Sequence, residues 1–301
     1  MKGKRNKMNL SVILLVFFSA VMHAGWNLFA RKEREELLFI SRMLTIVAVA
    51  GFIPAVLSEI ITHSLPVKAW VCVSGSGFFC GLYFYSLARA YTSSDFTIVY
   101  PVARSLPILF IAIGDILRGR NLSGNGWLGI SLVVAGCIFT PLKSLKDFSF
   151  SHYLNRTSTW LILTASGTIG YTLLDKISSE VVLQGPATAA RYGYFFFLIS
   201  FLFYHLFFYL SGNGKIKKEK KEKVGWKLPV IASIFDFASY WLILWAYQLT
   251  LFASYVVAFR QLSILFGVII AFLVYKEEGL FVRLIGAVLL TSGLIIIALF
   301  T

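Results

Sequence analysis

The chain has 301 residues, of which 58% are apolar and only 14% charged, against roughly 45–50% and about 25% in soluble domains. A soluble protein of this size has too little interior to hide so much apolar side chain, so the composition excludes disorder, a disulfide scaffold and a nucleic-acid-binding module, and leaves a polytopic membrane protein. The net charge of +14 fits that class, because the lysines and arginines gather beside apolar runs, where anionic headgroups retain them.

A membrane-spanning helix needs about 20 mainly apolar residues. Ten runs read as spans: 9–30, 37–59, 69–91, 96–117, 125–142, 158–177, 189–210, 228–249, 252–275 and 280–300. The first follows Lys2, Lys4, Arg5 and Lys7, yet it is too long for a signal peptide and no A-x-A site closes it, so it reads as a retained helix. The third carries Gly77 and Gly81 at GxxxG spacing, and the ninth carries Gly267 and Ala271; both pairs predict close helix packing. Most connectors are short. The longer ones are 143–157 and the basic loop 211–227, which holds Lys215, Lys217, Lys218, Lys220, Lys221, Lys223 and Lys227. In lipid every backbone amide must be satisfied within the protein, so these runs predict helices rather than strands. Cys72, Cys80 and Cys137 lie inside spans and read as small buried packing residues. Trp70, Trp127, Trp160 and Trp226 sit near span ends, where indole rings anchor at the interface.

The second half resembles the first. Gly25-Trp26-Asn27-Leu28 aligns with Gly170-Tyr171-Thr172-Leu173, Ala90-Tyr91 with Ala246-Tyr247, Arg104 with Arg260, and Ile108-Leu109-Phe110 with Ile264-Leu265-Phe266. Gly129 and Gly136 share the spacing of Gly286 and Gly293. The predicted fold is therefore an all-α membrane protein of ten transmembrane helices in two five-helix repeats, 1–142 and 158–301, joined by the connector 143–157. Five spans per repeat is an odd number, so the repeats run in opposite directions, an arrangement suited to alternating access around a site near the midplane. Loops on the side away from the N-terminus carry the larger share of Lys and Arg, which by the positive-inside rule favours both termini outside and leaves the orientation open.

Polar residues inside the spans mark the candidate site. Arg104 and Arg260 occupy matching repeat positions. An Arg at mid-membrane depth costs about 2.5–3.5 kcal/mol on insertion scales. The pair reads as a cationic floor for an anionic substrate group, or else as ion-pair or carbonyl-capping residues. Ser233, Asp236 and Tyr240 share a helical face, and Asp236 reads as a coupling-proton site or as the fixed partner of an Arg. His23 with Asn27, and Thr164, Thr168, Tyr171 and Asp175, form stripes that read as cavity wall or as interhelical hydrogen-bond glue. Pro101 and Pro107 flank Arg104 and predict either an opened helix beside a cavity or a plain kink. HExxH, GxSxG, Walker and clustered His/Cys/Asp signatures are missing, so neither an enzyme nor a metal or cofactor site is expected.

The residues His23-Ala24-Gly25-Trp26-Asn27 with Lys32, Ala90-Tyr91, Tyr100-Pro101-Val102-Ala103-Arg104-Ser105, and Lys276-Glu277-Glu278 followed by Gly286 carry a resemblance to the drug/metabolite transporter superfamily, in particular to transporters built of two EamA-type domains. The resemblance covers essentially the whole chain. It implies a ten-helix carrier of the bacterial inner membrane that exports amino acids or other small metabolites, often against a proton gradient, with both termini cytoplasmic. The loop 118–125 departs from the pattern in lacking a Gly-Glu pair, and Asp236 has no place in it.

The expected function is thus a secondary transporter for a small polar metabolite with an anionic group. Arg104, Arg260, Asn27, Tyr100, Tyr171 and Tyr240 would bind the substrate, and Asp236 would carry a proton. Its partners would be a small-molecule substrate and the bilayer, with no nucleic acid and with self-association left open. A flippase for a lipid-linked sugar and a non-transporting assembly or sensor subunit are the alternatives.

Overall fold

The computed structural model describes residues 9–33, 35–93, 96–140, 142, 156–212, 225–266 and 280–300. For 28, 30–33, 91–93, 96–104, 156–158 and 280 only the backbone is described. The described residues form helices and no strand. These are α1 (Leu10–Glu33), α2 (Glu36–Ala50), α3 (Phe52–Thr62), α4 (Val67–Ser93), α5 (Phe96–Leu117), α6 (Gly124–Phe139), α7 (Arg156–Ser179), α8 (Pro186–Leu210), α9 (Lys227–Leu249), α10 (Ala253–Arg260) and α11 (Leu280–Phe300).

Among the described residues, five helices are long and apolar enough to cross a bilayer: α1, α4, α8, α9 and α11. The pair α2 and α3, bent by 47°, adds a sixth if it counts as one span. Helices also occupy the expected spans at 96–117, 125–142 and 158–177; α6 is short, and α7 is diluted by Thr164, Thr168, Asp175 and Lys176. The expected ninth span is helical up to Phe266, and 267–275, with the Gly267–Ala271 pair, lies outside the described residues.

The bend between α2 and α3 has a local cause. Pro54, in the first turn of α3, offers no N–H and crowds the carbonyl one turn back, which breaks the ladder at Gly51. Tyr194 of α8 fills the bend. A Cβ on Gly51 would lie 2.5 Å from that ring, and the Tyr194 hydroxyl donates to the Ala48 carbonyl at 2.7 Å. By contrast, α5 runs as one helix through Pro101 and Pro107.

Helix pairs meet at small residues. Gly77 and Gly81 of α4 lie directly against the α8 backbone near Phe196, Ser200 and Tyr204. Gly129 of α6 abuts Gly293 of α11, and Gly136 abuts Gly286 and Leu290. α4 packs along α7, and α9 packs along α1. The three cysteines are buried and, among the described residues, form no disulfide. Trp160 sits beneath the Arg89 guanidinium at 5.3 Å and Trp226 beneath that of Arg42 at 4.7 Å, each a cation–π contact.

Candidate functional site

The chain turns sharply after α9. Thr250 to Phe252 leave the helix, and α10 sets off in a new direction. Two charged groups hold this corner. Lys176 of α7, only 2% exposed, donates to the carbonyls of Tyr247 at 2.8 Å and Thr250 at 2.7 Å, which satisfies acceptors orphaned at the end of α9. Asp115 of α5 accepts from the Ala253 and Ser254 amides at 3.2 and 2.8 Å and from the Ser254 hydroxyl at 2.6 Å. It thereby acts as an N-cap supplied by another helix. Although it lies within the run 158–177, Lys176 is thus a buried cap.

Held in this way, α10 ends at Arg260 beside a cavity in the bundle. The cavity is walled by α1, α4, α7, α8 and α9. A guanidinium nitrogen of Arg260 lies 3.1 Å from His23 Nδ1, and Trp26 Nε1 donates to the same nitrogen at 3.0 Å. Two donors converging on Nδ1 make it an acceptor and place the ring hydrogen on Nε2. The guanidinium also stands 5.4 Å from the centre of the Tyr240 ring. Tyr240 in turn stacks on Phe196 at 4.5 Å and meets Tyr171 edge-on at 5.7 Å. Asp236, 3% exposed, lines the cavity one turn before Tyr240.

Two atoms in this cavity stand out. Arg260 Nε and Asp236 Oδ2 are buried with no hydrogen-bond partner among the described residues. Burying such atoms unpaired costs about 1–3 kcal/mol each, more for charged groups, so they mark places where a polar ligand or water belongs. The room is small. A water molecule's centre can range over about 20 Å³ there, where one bound water needs roughly 10–15 Å³.

Behind Tyr240 lies a second acid. Asp175 of α7, 1% exposed, accepts hydrogen bonds from Ser76 of α4, from Tyr192 of α8 at 2.7 Å and from the Tyr240 hydroxyl. Beyond it, at the common ends of α5, α7 and α9, Glu180 pairs with Arg118 at 2.7 Å and with Arg120 and Lys176 at 3.5 Å. Partial burial disfavours the ionised form of Glu180, and the cations of Lys176, Arg118 and Arg120 outweigh it, so its carboxyl sits below the ordinary glutamate value.

Compared with protein families, residues 10–142 match the EamA-like transporter family. No curated protein matches the chain. One protein of solved crystal structure is similar over 95% of this chain and 96% of its own, with a TM-score of 0.69 and 18% identity. That identity speaks for the fold alone. The EamA-like match over 10–142 and the apolar helices together point to a multi-pass membrane protein.

Of the residues singled out from sequence, Arg260, Asp236, Tyr171 and Tyr240 line one cavity. Asn27, from the EamA-like stretch, does not. Its side chain donates to the His23 carbonyl one turn back at 2.7 Å. Arg104 and Tyr100 have side chains outside the described residues. Thr164 and Thr168 bond back to their own helix at 2.7 and 3.1 Å. The sequence does not mark Trp26, Cys80, Tyr83, Phe84, Phe196 and Phe197 as wall residues; together with His23 they complete the wall. Nothing distinguishes Phe196 within the run Tyr194-Phe195-Phe196-Phe197. The polar stripe on α7 did point to Asp175, but not to its partners.

Proposed function

We propose that this chain is a secondary transporter that moves a small polar metabolite, anionic or zwitterionic and amino-acid-like, across the bacterial inner membrane by alternating access, with export coupled to protons. The observation that carries this reading is the juxtaposition of Arg260 Nε and Asp236 Oδ2, both buried and unpartnered, in one aromatic-walled cavity. Arg260, joined by Arg104 of the first half, receives the anionic group. Tyr171, Tyr240 and Tyr100 shape the site, and Asp236 carries the coupling proton. With room for about one water, the cavity is in a closed conformation, and substrate enters when one end opens.

The same proposal takes the helices as ten spans in two inverted five-helix repeats, 1–142 and 158–301. The packing is mirrored, which supports this. α4 lies on α7 as α9 lies on α1, and α6 meets α11 with repeat-matched glycines crossed against each other. Exchange of two such halves about the cavity is the motion alternating access needs.

The test is a thermal-stabilisation screen of purified protein with amino acids, organic acids and sugar phosphates at several pH values, followed by flux of the best compound in proteoliposomes. The wild type is expected to be stabilised by, and to move, at least one of them. Arg260→Gln should insert and fold yet lose flux. Unchanged flux in that variant rejects the site, and absence of flux for every compound in the wild type rejects transport.

A further inference from the structure

We propose that Asp175 is a second proton-binding residue of this transporter, a positioning residue that controls the cavity through the Tyr240 hydroxyl. The inference rests on the transporter reading above and is carried by how the three hydroxyls divide between two carboxylate oxygens. Ser76 and Tyr192 both donate to Oδ1, whereas Tyr240 alone donates to Oδ2.

While Asp175 is ionised, the Tyr240 hydrogen is committed to Oδ2 and its oxygen is left as an acceptor. A proton arriving on Oδ2 makes an O–H that donates back to the Tyr240 oxygen. The phenol hydrogen must then turn to another acceptor, while Ser76 and Tyr192 keep Oδ1. One proton is bound, one hydrogen bond reverses direction, and no other group gains or loses a proton. Tyr240 changes from acceptor to donor. It lines the cavity together with Arg260 and Asp236, so a zwitterion whose carboxylate meets Arg260 and whose ammonium meets Asp236 and the Tyr240 oxygen loses an acceptor for its ammonium. Protonation therefore releases an ammonium-bearing ligand, the sign required for exchanging protons against an exported substrate.

The surroundings leave the switch to Asp175 and Tyr240. Among the described residues no cation lies within ion-pairing distance of Asp175. The titratable groups near it are the thiols of Cys72 and Cys80 on α4, the phenols of Tyr192 on α8 and of Tyr240 and Tyr247 on α9, and Tyr171 on its own helix. Asp236 lies a turn from Tyr240 on α9. On α10, Arg260 is engaged with His23. Asp115 of α5 and Arg118, just past its end, are engaged with the start of α10 and with Glu180, and the side chain of Arg104 on α5 lies outside the described residues.

The experiment measures binding of L-leucine, isopentylamine and isocaproate to the purified full chain from mildly alkaline to mildly acidic pH, in wild type, Asp175→Asn and Tyr240→Phe. Asn keeps an oxygen for Ser76 and Tyr192 and donates to Tyr240, so it mimics the protonated acid. The wild type should lose affinity for the two amine-bearing probes on acidification, about tenfold, with no such loss for isocaproate. Asp175→Asn should bind the amines about tenfold more weakly at alkaline pH and flatten the decline. Tyr240→Phe should flatten it too. If Asp175→Asn keeps the wild-type pH profile, the inference is overturned. Wild-type protein that binds none of the probes and nothing in the wider screen overturns the transporter reading instead. Should Asp175→Asn not fold, infrared pH-difference spectra of wild type with labelled tyrosine decide the matter. A tyrosine C–O band that gains acceptor character on acidification, passing from donor alone to donor and acceptor, and is lost in Tyr240→Phe supports the switch, and an unmoved band refutes it.

Discussion

Asp115 shows how much one side chain can hold in a medium that offers no water. Its two oxygens take both free amides at the start of α10 and the Ser254 hydroxyl, and α10 delivers Arg260 to the cavity. Asp115→Ala orphans these buried donors at about 1–3 kcal/mol each. We expect it to lower the melting temperature of the purified protein and to weaken ligand stabilisation, while Asp115→Asn, which keeps one acceptor, loses less of both. A melting temperature of Asp115→Ala equal to wild type would show that α10 is placed by packing alone.

At the level of helices, contact between backbones does the organising. A Cβ on Gly136 would stand 2.6 Å from Leu290 and 2.7 Å from the Gly286 carbonyl. No rotamer relieves that, because the neighbour is main chain. Gly136→Val is expected to destabilise by about 1–3 kcal/mol, the usual penalty of overpacking, whereas Gly124→Ala, with nothing within 4 Å of the added carbon, leaves stability unchanged. Denaturation of the two variants side by side checks this, and equal loss in both would deny a tight α6–α11 contact. Much of this was legible in the sequence. The GxxxG pair on α4 announced close packing, whereas the shared spacing of Gly129–Gly136 and Gly286–Gly293 pointed only to matching repeat positions. Which helix each pair would meet was not legible, because small residues permit approach without choosing a partner.

Across the bundle, ionic contacts gather at the shared ends of α5, α7 and α9. Glu180 is the hub, bound to Arg118, Arg120 and Lys176. Its carboxyl lies below the ordinary glutamate value, so the contact is complete above about pH 4.3 and is lost only as pH falls through the lower folded value. Mild acidification thus leaves this end closed. Removing the charge should open it. In a background with Cys72, Cys80 and Cys137 replaced by Ala, Thr250→Cys is expected to react several-fold faster with a water-soluble maleimide when Glu180→Gln is added, and to stay slow without it down to mildly acidic pH. Equal labelling rates would mean that Glu180 does not close this end.

Hydropathy along the chain was enough to establish a helical membrane protein and, among the described residues, where most of its helices run, because both follow from near neighbours and from the length of apolar runs. Arg260, Asp236, Tyr171 and Tyr240 were visible for the same reason. Polar groups are rare in such a chain and stand out. The contacts that define the cavity came from folding. Tyr240 meets Asp175 across 65 positions and Arg260 meets His23 across 237, and a buried carboxylate is a partner, a cap or a lone charge only according to which helix packs beside it.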